Sequence, residues 1–103
     1  MYKFVITSTD SFEIANKISN RLVTSKLSPC VQILDGLSSQ YIWKDRIESQ
    51  KEYLVIVKCK SANCKEVAKY IESVHNYEIA EIIQSDFDIL NSKYKKWFDK
   101  SSI

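Results

Sequence analysis

The stretch LSSQYIWKDRIESQKEYLVIVKCK, running from Leu37 to Lys60, decides the architecture of this chain. Leu37, Tyr41, Ile42 and Trp43 precede the polar run Lys44 to Lys51, and the β-rich run Tyr53 to Cys59 follows it. The pattern is that of a hairpin, two long strands closed by one polar turn. With pairing continued back through Cys30 to Leu34, each arm approaches ~14 residues, or roughly 45 Å at ~3.3 Å per residue. A compact chain of this size has a radius of gyration of only ~13 Å. The arms therefore project beyond the body, and their free edges and apolar side chains invite pairing with another copy of the chain. The expectation is an assembly.

On the N-terminal side of the hairpin, Tyr2 to Ser8 is a short β-rich run bounded by Thr9-Asp10-Ser11 and predicts a first strand. Asp10 stands at a cap position with Glu13 at capping-box spacing. Ile14, Ala15, Ile18, Leu22 and Val23 then recur on one face of a helix that reaches about Leu27. Pro29 holds Ser28 out of helical geometry. The second strand begins at Cys30, carries Val31, Ile33 and Leu34, and meets Asp35-Gly36, where the only glycine of the chain marks a bulge or kink before the strand resumes. Beyond the hairpin, Ser61 is the expected cap of a second helix with Cys64, Val67, Ala68, Ile71 and Val74 on its apolar stripe and His75 next in the series. Tyr77 to Phe87 reads as a fourth strand. Asn91 to Lys100 reads as a terminal helix with Tyr94, Trp97 and Phe98 on one stripe.

The order is β-α-β-β-α-β with an added C-terminal helix, which predicts an α+β fold: a ferredoxin-like sandwich over residues 1–103 as one domain, with an extended hairpin between its second and third strands. Both main helices then lie on one face of the sheet. The other face carries Val, Ile, Tyr and Trp and needs a cover, either the C-terminal helix or a neighbouring subunit.

Lys plus Arg is 15 and Asp plus Glu 13, a net charge of +2, too balanced to point to a nucleic-acid or membrane partner. The N-terminus has no apolar run of signal-peptide length, and nothing approaches the ~20 apolar residues of a membrane span. A cytoplasmic protein is the expectation. Cys30, Cys59 and Cys64 form an odd set without a secretory signal and read as reduced thiols.

Five pieces of the sequence, in this order, resemble the successive motifs of the CutA divalent-cation tolerance family: Cys30-Val31-Gln32-Ile33; Ser39-x-Tyr41-x-Trp43; Glu52 with Lys58; His75-x-Tyr77-Glu78-x-x-Glu81-Ile82; and Tyr94-x-x-Trp97. The likeness covers nearly the whole chain. It implies a ferredoxin-like homotrimer, related in architecture to the PII signalling proteins, whose long hairpins bind the subunits together. It also implies an association with copper or another divalent cation. Departures are local: Asp45 stands where the family usually has Gly, Gln32 replaces an asparagine, and Asn76 and Ala80 replace two prolines. The first-strand cysteine implicated in copper binding in some members corresponds to about Thr7, which removes the thiolate that favours copper(I).

His75, the only histidine, is the candidate metal ligand. Its alternative role is packing and hydrogen bonding, because it continues the stripe from Ile71. Tyr41, Trp43, Tyr77 and Trp97 combine apolar rings with polar tips, and Lys58, Glu48 and Glu81 can orient a small polar ligand if they converge with them at a subunit boundary. The same aromatics serve equally to seal a trimer. Cys30, from the first motif, joins these as a candidate ligand-binding residue, although a strand cysteine is most often a small core residue.

The leading function is thus a trimeric binding or regulatory protein linked to metal-ion tolerance and not an enzyme, with weak metal or small-ligand binding at subunit interfaces. One alternative is a PII-like small-molecule signalling or scaffold protein without metal. Another is RNA binding on the sheet, but the third strand EYLVIVKCK lacks the glycine and spaced stacking rings of that module. One histidine and one glycine assemble neither a Ser-His-Asp triad nor a glycine-rich phosphate cradle.

Overall fold

The computed structural model describes residues 1–103. Its long dimension comes from the hairpin. Strand β2, Cys30–Trp43, and strand β3, Arg46–Lys60, have 14 and 15 residues. They pair antiparallel from Cys30 opposite Lys58 out to Trp43 opposite Arg46. The chain measures 46 × 24 × 22 Å, with a radius of gyration of 14.4 Å. The polar run expected as the turn is mostly strand: only Lys44 and Asp45 turn, both with positive φ (51° and 63°), and Arg46 to Lys51 belong to β3. Positive φ at both central residues is the type I′ geometry, whose twist matches that of the strands. The polar residues stay in the ladder because both faces of a projecting arm meet solvent.

The expected bulge sits at Asp35-Gly36. Leu34 lies opposite Leu54 and Leu37 opposite Glu52, so one extra residue is inserted in β2. Gly36 takes φ 81°, the left-handed conformation for which glycine has no Cβ penalty, and its N–H donates to Asp35 Oδ1 at 2.6 Å. Because side chains alternate with period two, the insertion moves Ser39, Tyr41 and Trp43 onto the face of Glu52 and Leu54 and away from it Ser38, Gln40 and Ile42.

Strand β1, Tyr2–Thr9, and strand β4, Ile83–Phe87, complete an antiparallel sheet of order β2-β3-β1-β4. Helix α1, Phe12–Thr24, and helix α2, Cys64–Val74, pack on one face. The core between them contains Val5, Val55, Val57 and Cys59 from the sheet, Ala15, Ile18 and Leu22 from α1, and Cys64, Val67 and Ile71 from α2. Each of the buried Val, Leu and Ile side chains among these contributes on the order of 1.5–3 kcal/mol.

Both expected caps are displaced. Ser11, rather than Asp10, caps α1, its Oγ accepting from the Ile14 N–H at 3.2 Å, and the helix ends at Thr24 instead of Leu27. Asp10 is drawn off by the loop after α2, where its carboxylate accepts from Asn76 Nδ2 at 2.8 Å. Ser61 opens a short 3-10 turn, Ser61–Asn63, ahead of α2, and its buried hydroxyl has no partner. His75 is the C-cap of α2 in extended conformation (φ −64°, ψ 145°), one residue beyond the helical stripe.

On the opposite face, helix α3, Ser92–Lys100, covers one end of the sheet through Phe98, which is fully buried. The Phe98 ring meets Tyr2 edge-on at 5.2 Å, and Tyr2 stacks on Phe87 at 5.6 Å. Tyr2 Oη donates to Asp99 Oδ1 at 2.7 Å and fixes the helix to the first strand. The rest of that face stays open: Leu34 and Ile83 are exposed, and Ile6, Leu54 and Ile56 are partly so. The fourth strand is shorter than expected, because Tyr77 to Ile82 do not join the ladder. β4 pairs only with Tyr2 to Ile6, so the segment from His75 to Ile82 passes the free end of β1 and is held there by side-chain bonds. No helix is long and apolar enough to cross a membrane.

Candidate functional site

The segment that leaves the sheet is pinned by three consecutive side chains. His75 Nδ1 accepts from the Tyr77 N–H at 3.1 Å, which places the proton of the neutral ring on Nε2. Nε2 in turn lies 3.0 Å from the Ser8 carbonyl and 3.1 Å from Thr7 Oγ1. Burial lowers the pKa of the ring, against the opposing pull of the Ser8 carbonyl and of the Glu52 and Asp10 carboxylates. Asn76 accepts from Thr9 Oγ1 at 2.6 Å and donates to Asp10. These bonds hold Asn76 against the end of β1 and the residue that follows it. Tyr77 then reaches across the end of the sheet and donates its Oη–H to Glu52 Oε2 at 2.6 Å. Burial first, and the Glu52 bond second, raise the Tyr77 pKa, so the phenol stays protonated and remains a donor.

Between this segment and the hairpin lies a cavity of about 830 Å³. Ser39 to Trp43 line it from β2, and of these the bulge brings Ser39, Tyr41 and Trp43 onto the face of Glu52. Tyr77, Glu78, Ile79 and Glu81 line it from the pinned segment, and Ser8 and Glu52 from the neighbouring strands. Ser8 Oγ donates to Glu81 Oε1 at 3.4 Å. No lysine, arginine or histidine lines the cavity.

Of the site residues expected from sequence, the structure thus brings together Tyr41, Trp43, Tyr77 and Glu81. Glu48 lies opposite Tyr41 in the ladder but not in the cavity wall. Cys30 and Lys58 face each other at the far, body end of the hairpin. Trp97 sits on α3 against Phe98 and is about half exposed at 46%. His75 supports the wall from behind, both ring nitrogens engaged within the chain. An ion at His75 would have to displace one of those bonds, and no group of three or more His, Cys, Asp or Glu side chains converges anywhere in the chain.

The thiols are free. Cys59 is fully buried, and burial together with neighbouring Cys64 pushes its pKa up to about 12, so it supplies almost no thiolate. Glu52, Ser8, Ser39, Asn76 and Glu78 were not among the expected site residues. For Glu52 the signal was present: it stands with Lys58 in the third of the five motifs read from the sequence.

A four-stranded antiparallel sheet with two helices on one face, a third across the other and a cavity under a projecting hairpin defines an α+β protein of the ferredoxin-like type. Residues 3–101 match the family model of the CutA1 divalent ion tolerance protein, and the chain belongs to that family. It is 34% identical over 84 residues to the CutA homolog of Xenopus laevis, covering 82% of this chain and 56% of that protein. The chain therefore spans about half the length of that relative. Among solved structures, the divalent cation tolerance protein of Thermus thermophilus superposes with a TM-score of 0.91 at 27% identity, covering 99% of both chains. The periplasmic divalent cation tolerance protein CutA of Archaeoglobus fulgidus gives 0.91 at 29% identity, covering 98% of both.

Proposed function

We propose that this chain is the subunit of a homotrimeric binding or regulatory protein linked to tolerance of divalent cations, copper among them, acting without catalysis and in the cytoplasm. The observation that carries the assembly is the hairpin tip. Ile42 and Ile47 face each other in the ladder and are each 76% exposed. A two-stranded ribbon is marginal in water, and apolar side chains along it are stable when another copy covers them. The link to cations rests on family membership. Free thiols support a reducing compartment. Absence of catalysis is supported by a sole histidine whose two nitrogens are held by neighbouring groups.

Native mass spectrometry, alone and with copper(II) or zinc added near stoichiometry, tests this reading. A mass of three chains with metal in fixed ratio, lost in His75→Ala, supports it in full. A monomer overturns the assembly. A clean trimer without metal transfers the function to a PII-like binder of small molecules, a second reading that the engaged nitrogens of His75 favour.

A further inference from the structure

We propose that the cavity between the hairpin and the segment after α2 is a binding site for a small organic ammonium ion, with Glu52, Glu78 and Glu81 supplying charge and Tyr41, Trp43 and Tyr77 supplying ring faces. It rests on the reading of this cavity as a ligand site, and on neither the trimer nor a metal.

Charge decides the sign of the ligand. Three carboxylates line the cavity and no cationic side chain answers them, so the concavity concentrates a negative potential that repels anions and draws in cations. Glu52 adds an independent observation. It is only 6% exposed, and it receives a single hydrogen bond, from Tyr77, on Oε2. Oε1 accepts no bond from the chain, while the residue lines the cavity. A carboxylate so removed from water is costly unless a donor, preferably a charged one, completes it. An ammonium N–H, or the face of a methylated ammonium, supplies that charge.

Shape decides between a point ion and an organic one. A hard divalent cation needs oxygen ligands gathered around one point at ~2.0–2.6 Å, and no three ligating side chains are gathered here. Carboxylates distributed around about 830 Å³, with three aromatic rings between them, instead suit a cation with a carbon frame, whose charge lies against the rings while its hydrocarbon displaces water.

Trp43 reports on the site. The chain has two tryptophans, so Trp97→Phe leaves Trp43 as the only one. This protein is titrated with choline, with spermidine and with 3,3-dimethylbutan-1-ol, the uncharged isostere of choline, while Trp43 fluorescence is followed. The expected result is a saturable change with at least one ammonium probe, binding at least about tenfold tighter than the alcohol. Glu52→Gln and Glu81→Gln are each expected to weaken it by about tenfold, the usual loss for one charge-assisted contact. Glu81 is exposed, so its variant keeps the test open if Glu52→Gln does not fold. No saturation by either ammonium, equal response to the alcohol, or unchanged affinity in the Glu81→Gln variant would overturn the proposal. A cavity filled by a side chain of a second copy would give the first of these results. Native masses of the same samples read the assembly separately: an intact trimer that ignores both ammonium probes removes the cation site alone, and a monomer that binds them removes the trimer alone.

Discussion

Tyr77 donates its phenolic hydrogen to Glu52 Oε2 across 2.6 Å, tying the segment after α2 to the third strand over a sequence separation of 25 residues. This bond closes one wall of the cavity and satisfies half of a buried carboxylate. Tyr77→Phe keeps the ring and removes the donor, so it is expected to destabilise the fold by about 1–2 kcal/mol, the cost of a buried acceptor left unpaired. Urea denaturation measures it. The double variant Tyr77→Phe, Glu52→Gln is expected to recover part of that loss, and an unchanged midpoint in the single variant would show that the bond carries no net stability.

Acid should weaken the protein through His75 before its carboxylates titrate. Burial lowers the pKa of His75 in the fold below its ordinary value of 6.5, so the unfolded chain binds the proton more readily. Stability is then complete above pH ~6.5 and falls as pH drops through that value toward the folded pKa. Urea midpoints between about pH 7.5 and 5.5 should decline in the parent protein and stay flatter in His75→Gln. Parallel profiles would assign the decline elsewhere.

In the proposed trimer the hairpin tip carries the assembly. Ile42→Glu with Ile47→Glu places two like charges opposite each other on the ribbon, at residues that make no core contact within the chain. Light scattering coupled to size exclusion should show a loss of trimer at micromolar concentration, with far-ultraviolet circular dichroism retained. An unchanged mass would move the interface away from the tip.

A chain with a single glycine has filled three left-handed positions with other residues: Lys26 (φ 62°), Lys44 (φ 51°) and Asp45 (φ 63°). Lys26→Gly and Asp45→Gly should each stabilise by about 1 kcal/mol, since glycine removes the Cβ strain of that region. Gly36→Ala should cost about 1–2 kcal/mol for the same reason. Space is not the obstacle there, because an added Cβ at Gly36 meets nothing within 4 Å. Thermal unfolding separates the three variants, and equal values would mean that the unfolded chain compensates at these sites.

Local pattern carried most of the architecture. The hairpin, the α2 stripe Cys64, Val67 and Ile71 and the order of the elements each follow from a period of two or of about 3.6, which neighbouring residues set among themselves. Family membership followed from the same motifs. Where pattern misled, a distant partner intervened. Asp10 has the chemistry of a cap, but Asn76, 66 residues away, engages it and leaves the cap to Ser11. Tyr77 to Ile82 have strand composition, yet β4 begins only at Ile83.

The site divides along the same line. Residue type alone marked Tyr41, Trp43, Tyr77 and Glu81 as polar-tipped rings and charge suited to a ligand, and strand length alone called for an assembly. Whether those residues met, and that Glu52 and Ser8 joined them while Cys30, Lys58 and Trp97 lay elsewhere, depended on two tertiary events. One is the inserted residue that puts Ser39, Tyr41 and Trp43 on the face of Glu52, and the other is the departure of the His75 segment from the sheet. Both are resolved by bonds between residues far apart in the chain, whose free energies local spacing does not contain.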